Sequence, residues 1–392
     1  MGQDRITQIR VKGMRALGDV TLDLKGLTVL IGDNGSGKST LLDAFEMLRQ
    51  AAKPGINYVS DIVVREFGGL HDLLRHGADE LVLGVVIEGN GPKLDYSFAL
   101  AFVGTSPRVA SEQLYVYDTG AIPTKVVDLK KGSPAIVRRL QESLLAPTLP
   151  SVRPSALRLC AALSRIDHHV PFETRPLWQQ REFAIHSGPR WPSVVVNEDG
   201  VSRYGGNLAN CFQQLRNSGG KVWERVVETA RLGLGDDLRD FKLTPYGQGS
   251  LELEVVFGAM PDKPVAARNL SEGQLAFLLF IALAEMNQGR SILVFDEPEL
   301  HMHPALLARV VTMLEEVAKD CPVVLATHSD RLLDALANPA ESVVLCELDE
   351  RRAVQLKRPN AEQLHKWLQD YRGLGALRAE GYEAHVFDQG DK

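Results

Sequence analysis

The segment Gly32-Asp33-Asn34-Gly35-Ser36-Gly37-Lys38-Ser39 constrains the fold of this chain more than any other feature. It follows the apolar run Leu27-Thr28-Val29-Leu30-Ile31, and Leu41, Leu42, Phe45 and Leu48 come after it at helical spacing. Strand, glycine-rich loop and helix is the order that a phosphate-binding loop requires. Glycines let the backbone curl so that its N–H groups point at phosphate oxygens, and the following helix adds the positive end of its dipole. The cradle then consists of Asn34, Gly35, Ser36, Gly37, Lys38, Ser39 and Thr40. Lys38 would neutralise the β- and γ-phosphates, and Ser39 would ligate Mg2+. An accidental glycine-rich turn leaves the flanking strand and helix unexplained.

Further motifs lie near the other end of the chain. Ile292-Leu293-Val294-Phe295 reads as a buried strand ending in Asp296 and Glu297, and adjacent carboxylates are best tolerated at a strand's C-terminal tip, where ligands bind. There Asp296 would hold Mg2+ through its water shell, and Glu297 would act as general base on the attacking water. Leu270-Ser271-Glu272-Gly273-Gln274 precedes a helix, so Ser271, Gly273 and Gln274 could present a second anion site; alone, the pattern is an ordinary N-cap. Val323-Val324-Leu325-Ala326 is another buried strand, and His328 beyond its tip could donate a hydrogen bond to a γ-phosphate.

In this order the elements resemble the heads of ABC-type ATPases: Walker A at Gly32 to Ser39, signature at Leu270 to Gln274, Walker B at Ile292 to Glu297 and a switch histidine at His328. Asp296-Glu297-Pro298-Glu299-Leu300-His301-Met302-His303-Pro304 is similar to the DEPExxxHP stretch of RecF/SMC-like and OLD-like ATPases. The resemblance implies a P-loop NTPase core with a mixed, mainly parallel sheet, ATP and Mg2+ as ligands, and hydrolysis to ADP and phosphate. It also implies a homodimer or higher even oligomer, in which each phosphate loop meets the other chain's signature. This branch belongs to DNA-repair or phage-defence modules in which the head regulates a nuclease. The stretch after His328 is shorter than a typical domain, so the effector is expected on another polypeptide, such as a TOPRIM-like or HNH nuclease.

Two departures stand out. Glu272 occupies a position where transporters carry glycine, and the region Phe67 to Leu74 lacks the Q-loop glutamine, leaving Gln50 and His71 as candidates. A cytosolic subunit energising a permease, or an ATP-dependent scaffold with little turnover, would use the same motifs. The missing glutamine and the long insertion weigh against the first, and Glu297 against the second.

Both ends belong to one α/β core, an N-terminal lobe over 1–120 and a C-terminal lobe over 246–392, with a largely helical subdomain inserted at 121–245. The insertion collects Arg138, Arg139, Arg153, Arg158, Arg165, Arg175, Arg181 and Arg190 between Pro123 and Pro192. A net charge of -6 gives the chain no global basic field, so any nucleic-acid contact is expected from this arginine-rich face, with a solvated surface as the plainer reading. No apolar run is long enough to span a bilayer, and a cytoplasmic location without a membrane partner is expected. The four cysteines, Cys160, Cys211, Cys321 and Cys346, are unpaired in spacing and read as free thiols. His301 with His303, and Asp167-His168-His169, are metal temptations without a third ligand at matching spacing. Leu364, Trp367, Leu368 and Tyr371, followed by Gly373-Leu374-Gly375-Ala376-Leu377, read as an amphipathic helix and a turn that pack on the core or dock a partner.

Overall fold

The computed structural model describes residues 3–52, 66–117, 124–129, 153–176, 188–247, 249–286, 289–367, 373–379 and 387. The chain opens with the hairpin β1 (Arg5–Met14) and β2 (Leu17–Asp23). Ile6, Ile9 and Val11 are all buried although Ile6 and Ile9 lie an odd number of residues apart. A register break against the neighbouring strand between Ile6 and Gln8 inserts one residue and returns Ile9 to the inner face. β3 (Leu27–Ile31), buried at every position, then leads into the helix Lys38–Ala51. The strands β4 (Glu80–Gly89), β5 (Gly91–Val103), β6 (Ser106–Tyr117) and β7 (Thr124–Leu129) complete an antiparallel sheet in the order β2-β1-β4-β5-β6-β7.

The middle of the chain contains the helix Arg153–Ser164, β8 (Ile166–His169), β9 (Ser193–Val194) and the helices Leu208–Asn217 and Gly220–Leu234. β10 (Leu238–Pro245), β11 (Ser250–Phe257) and β12 (Val265–Ala266) follow, and with β9 they make a small antiparallel sheet. β8 does not stay with these neighbours; it pairs parallel with the carboxylate strand of the core. β6 pairs antiparallel with β7, and β10 with β11.

After the helix Glu272–Glu285 come β13 (Ile292–Asp296), the helix Pro304–Asp320, β14 (Val323–Ala326), β15 (Val343–Leu348) and β16 (Val354–Lys357). The second large sheet runs β16-β15-β3-β14-β13-β8, parallel throughout except for the antiparallel edge strand β16. Both faces of its central strands are buried, as near-continuous apolar runs require. Leu293, Phe295, Val323 and Leu325 face a core shared with the helices Leu208–Asn217, Gly220–Leu234, Glu272–Glu285 and Pro304–Asp320. Ile292, Val294, Val324 and Ala326 face the opposite core, with Leu41, Leu42 and Phe45 of the helix Lys38–Ala51 and the inner face of the antiparallel sheet. This two-sided burial fixes β3, β14 and β13 side by side, so their C-terminal tips converge on one edge.

Candidate nucleotide site

The helix Lys38–Ala51 starts at Gly37, whose φ of 92° is left-handed. A Cβ there would lie 2.5 Å from Val354 Cγ2, so backbone and space both demand glycine. No side chain caps this helix and its first turn carries no acid, which directs its leading N–H groups to an anion. Lys38 is buried, and its Nζ donates to Gly32 O at 2.7 Å, Asp33 O at 3.0 Å and Ser36 Oγ at 3.4 Å. Burial holds its pKa below the usual lysine value. An ammonium supported by carbonyls in a shielded loop can exchange them for phosphate oxygens at little cost. Asn34 and Ser39 are exposed, and Thr40 is half-buried in the first turn.

Strand order brings the carboxylates to this loop. Ser39 hydrogen-bonds Asp296, the last residue of β13. Burial, and next the adjacent Glu297 carboxylate, push the Asp296 carboxyl up to about 6 against the Ser39 hydrogen bond. A hydroxyl and a destabilised carboxylate side by side are a donor set that fits Mg2+. Glu297 takes a positive φ of 48° while its N–H donates to Ala326 O at 2.8 Å. A side chain held in that region costs about 1–3 kcal/mol, as is found at functional sites.

Glu299, two residues on, accepts from Thr327 Oγ1 at 2.7 Å and from the His328 N–H at 3.1 Å. The turn after β13 thus holds the backbone of His328, whose side chain is exposed. Sequence reasoning assigned Glu299 no role; its place two residues beyond the acid pair was the available signal.

Ser271 caps the helix Glu272–Glu285 in a capping box with Gln274 and remains exposed. The structure also accounts for Glu272: its Oε2 lies 2.7 Å from His301 Nδ1, and Gly273 packs under the His301 carbonyl. Arg190, buried, donates to the carbonyls of Arg268 at 2.6 Å and Leu270 at 2.8 Å and so fixes the approach to the signature. The signature is therefore fastened to the DEPExxxHP turn, whereas the phosphate loop is walled by Cys346 and Val354.

In the segment Phe67 to Leu74 the helical turn Leu70–Leu73 is tied to the β1–β2 hairpin through the Arg15 N–H to Leu73 O bond of 2.7 Å. Of the two Q-loop candidates, His71 is exposed to solvent, and Gln50 is buried and donates to Glu46. The segment leaving the sheet beside β13 is Val170-Pro171-Phe172-Glu173, because β8 is the neighbour of β13 with His169 opposite Phe295. Three polar residues out of four in Ile166–His169 hid that strand from pattern reading.

The arginines are less available than their clustering suggests. Arg158 binds Asp4 at 2.8 Å, Arg175 pairs with Glu173, and Arg190 is committed to backbone carbonyls. Pro123, Arg138, Arg139, Arg181 and the side chain of Arg153 lie outside the described residues, as do Leu368 and Tyr371.

The metal temptations are likewise engaged elsewhere. His168 Nδ1 lies 3.1 Å from Glu46 Oε2, His169 stacks on Phe295 with centroids 5.5 Å apart, and His303 Nδ1 accepts from the Ala305 N–H. Among the described residues no group of three or more His, Cys, Asp or Glu could hold a metal ion. The thiols of Cys211, Cys321 and Cys346 are buried, which pushes each up to about 12. No helix among the described residues is long and apolar enough to cross a membrane.

A two-sided parallel sheet with a phosphate loop beside an acid pair at a neighbouring strand tip is the fold of a P-loop NTPase. Residues 5–79 match the family described as "AAA ATPase domain", and residues 261–334 match "AAA domain, putative AbiEii toxin, Type IV TA system". The chain is 21% identical over 371 residues to the OLD nuclease of Thermus scotoductus, covering 90% of this chain and 64% of that relative. It is also 29% identical over 124 residues to protein ea59 of Escherichia phage lambda, covering 31% of this chain and 22% of that protein. The Smc head bound to the C-winged helix domain of ScpA shares the fold with a TM-score of 0.56 at 12% identity, over 91% of this chain and 99% of that one. A Pyrococcus furiosus Smc head shares it with a TM-score of 0.55 at 11% identity, over 94% and 99%. The chain thus resembles OLD-like ATPases in its motif set and shares the fold of Smc heads.

Proposed function

We propose that the chain hydrolyses ATP and that hydrolysis opens a dimer closed by two shared ATP molecules. The carrying observation is the meeting of Ser39 and Asp296 across the sheet, with Glu297 as the next residue. In the step proposed, a water oxygen attacks the γ-phosphorus, its proton passes to the Glu297 carboxylate, and the bridging oxygen leaves with ADP. Mg2+, held by Ser39 and Asp296, would offset phosphate charge. Lys38 and the loop N–H groups orient the phosphates, and His328 donates to the γ-phosphate.

Ser271, Gly273 and Gln274 are exposed or half-buried and point the dimer model to a second copy, whose γ-phosphate they would contact from a helix N-terminus. The likeness to a protein named a nuclease supports an effector of nuclease type. Glu297→Gln preserves size and removes the base, so ATP should still bind while turnover falls on the order of 10²-fold or more. Phosphate release by this variant near the wild-type rate would remove Glu297 from the base role.

A further inference from the structure

The C-terminal turn that the sequence singled out reaches the phosphate loop. A cavity of about 430 Å³ opens beside Gly32, Asp33, Asn34 and Ser36, with Arg352 and Arg378 on its far wall. Its size lies within the ~300–1,000 Å³ typical of small-ligand sites. Acidic groups line it as well: Asp33, and Glu347, which is paired with Lys357 at 2.9 Å. Arg378 is 16% exposed and belongs to the helix Leu374–Ala379. Arg378 lines the cavity with Asp33, Asn34 and Ser36, and Lys38 Nζ lies 3.4 Å from Ser36 Oγ on the same loop.

That helix is locked onto the helix Asp330–Asp334, which begins just after His328 and Ser329. The Ala376 N–H donates to Asp334 Oδ1 at 3.1 Å, and Arg378 Nη1 reaches Asp330 Oδ1 at 3.4 Å. A Cβ on Gly375 would lie 1.8 Å from Asp330 O, so only glycine permits this seating. A polyphosphate offers a guanidinium the bidentate geometry it prefers.

We propose that Arg378 binds the polyphosphate of the nucleotide from the cavity wall and thereby couples it, through Asp330, to the switch-histidine segment. The proposal rests on reading Gly32 to Ser39 as the ATP site. It gives the C-terminal Gly-Leu-Gly-Ala-Leu-Arg stretch a positioning task that neither the Walker motifs nor the signature supplies.

The test titrates Mg·ATP and Mg·ADP into the full chain by calorimetry, with thermal unfolding as the check on folding. Arg378→Gln should weaken ATP by about 10-fold or more, the scale of a lost charged hydrogen bond, and Arg378→Lys should fall between it and wild type. Asp330→Asn removes the clamp but keeps the guanidinium, so ATP should bind as in wild type or tighter. Wild-type affinity in Arg378→Gln, in a preparation where Lys38→Ala abolishes binding, overturns the role of Arg378 and leaves the ATP site standing. Equal weakening by Arg378→Gln and Asp330→Asn also overturns it, since the pair would then only hold the C-terminal helix. Failure of the wild type to bind ATP overturns the underlying reading together with the proposal.

Discussion

Asp296→Asn should make the nucleotide-free protein more stable at pH 8 while disabling its Mg2+ site. Burial and Glu297 raise the Asp296 carboxyl from 3.8 to about 6, so the folded state disfavours the ionised form. Between those values the native protein holds a proton that the unfolded chain has released. Stability from this group therefore falls as pH rises from about 4 to about 6 and stays reduced above that window. Two pH units at ~1.36 kcal/mol each set a ceiling of about 3 kcal/mol. Because Asp296 is only half-buried, solvent screening brings this to about 1–2 kcal/mol. At ~2.1 cal/mol/K per residue, a chain of 392 residues converts that into a Tm rise of roughly 1–2 °C. Differential scanning calorimetry of wild type and Asp296→Asn at pH 4, 6 and 8 should show the two curves separating across the window, with the variant higher at pH 8. Mg·ATP should reverse the order by stabilising the wild type alone. A variant less stable than wild type at pH 8, or a difference unchanged at pH 4, would refute the strained-carboxylate argument.

Two further outcomes test the site. With Glu297→Gln, ATP and Mg2+, mass photometry should show a two-fold complex, and adding Ser271→Arg should abolish it by placing bulk and charge at the exposed signature helix end; identical assembly of both variants with and without ATP contradicts the shared site. Glu299→Ala removes the acceptor of Thr327 Oγ1 and the His328 N–H, so kcat should fall about 10-fold or more with KM for ATP nearly constant; a KM effect alone would assign Glu299 to binding.

The phosphate loop was legible because its determinants are local: a strand buried on both faces, a left-handed Gly37 and helical spacing from Leu41 onward lie within one short stretch. The strands β13 and β14 were legible for the same reason, since they appear as apolar runs bounded by polar tips. The antiparallel strands β4 to β7 announced themselves less clearly, and β8 not at all, because Asp167 and His168 spend their polarity on Arg290 and Glu46 rather than on solvent.

The sequence by itself thus determined the strand, glycine-rich loop and helix unit and the order of the motifs along the chain, because short-range periodicity and glycine sterics are written in adjacent residues. Only the tertiary structure decided which distant groups meet: Ser39 with Asp296, Glu272 with His301, Arg190 with the carbonyls before Ser271, and Arg378 with the wall of the phosphate-loop cavity. It also decided that Arg158 and Arg190 are spent on Asp4 and on backbone oxygens. Such pairings follow from strand order and helix seating, which are set by how whole faces bury against one another. An arginine's charge can be read from its letter, but its partner depends on which surfaces the sheets and helices bring together.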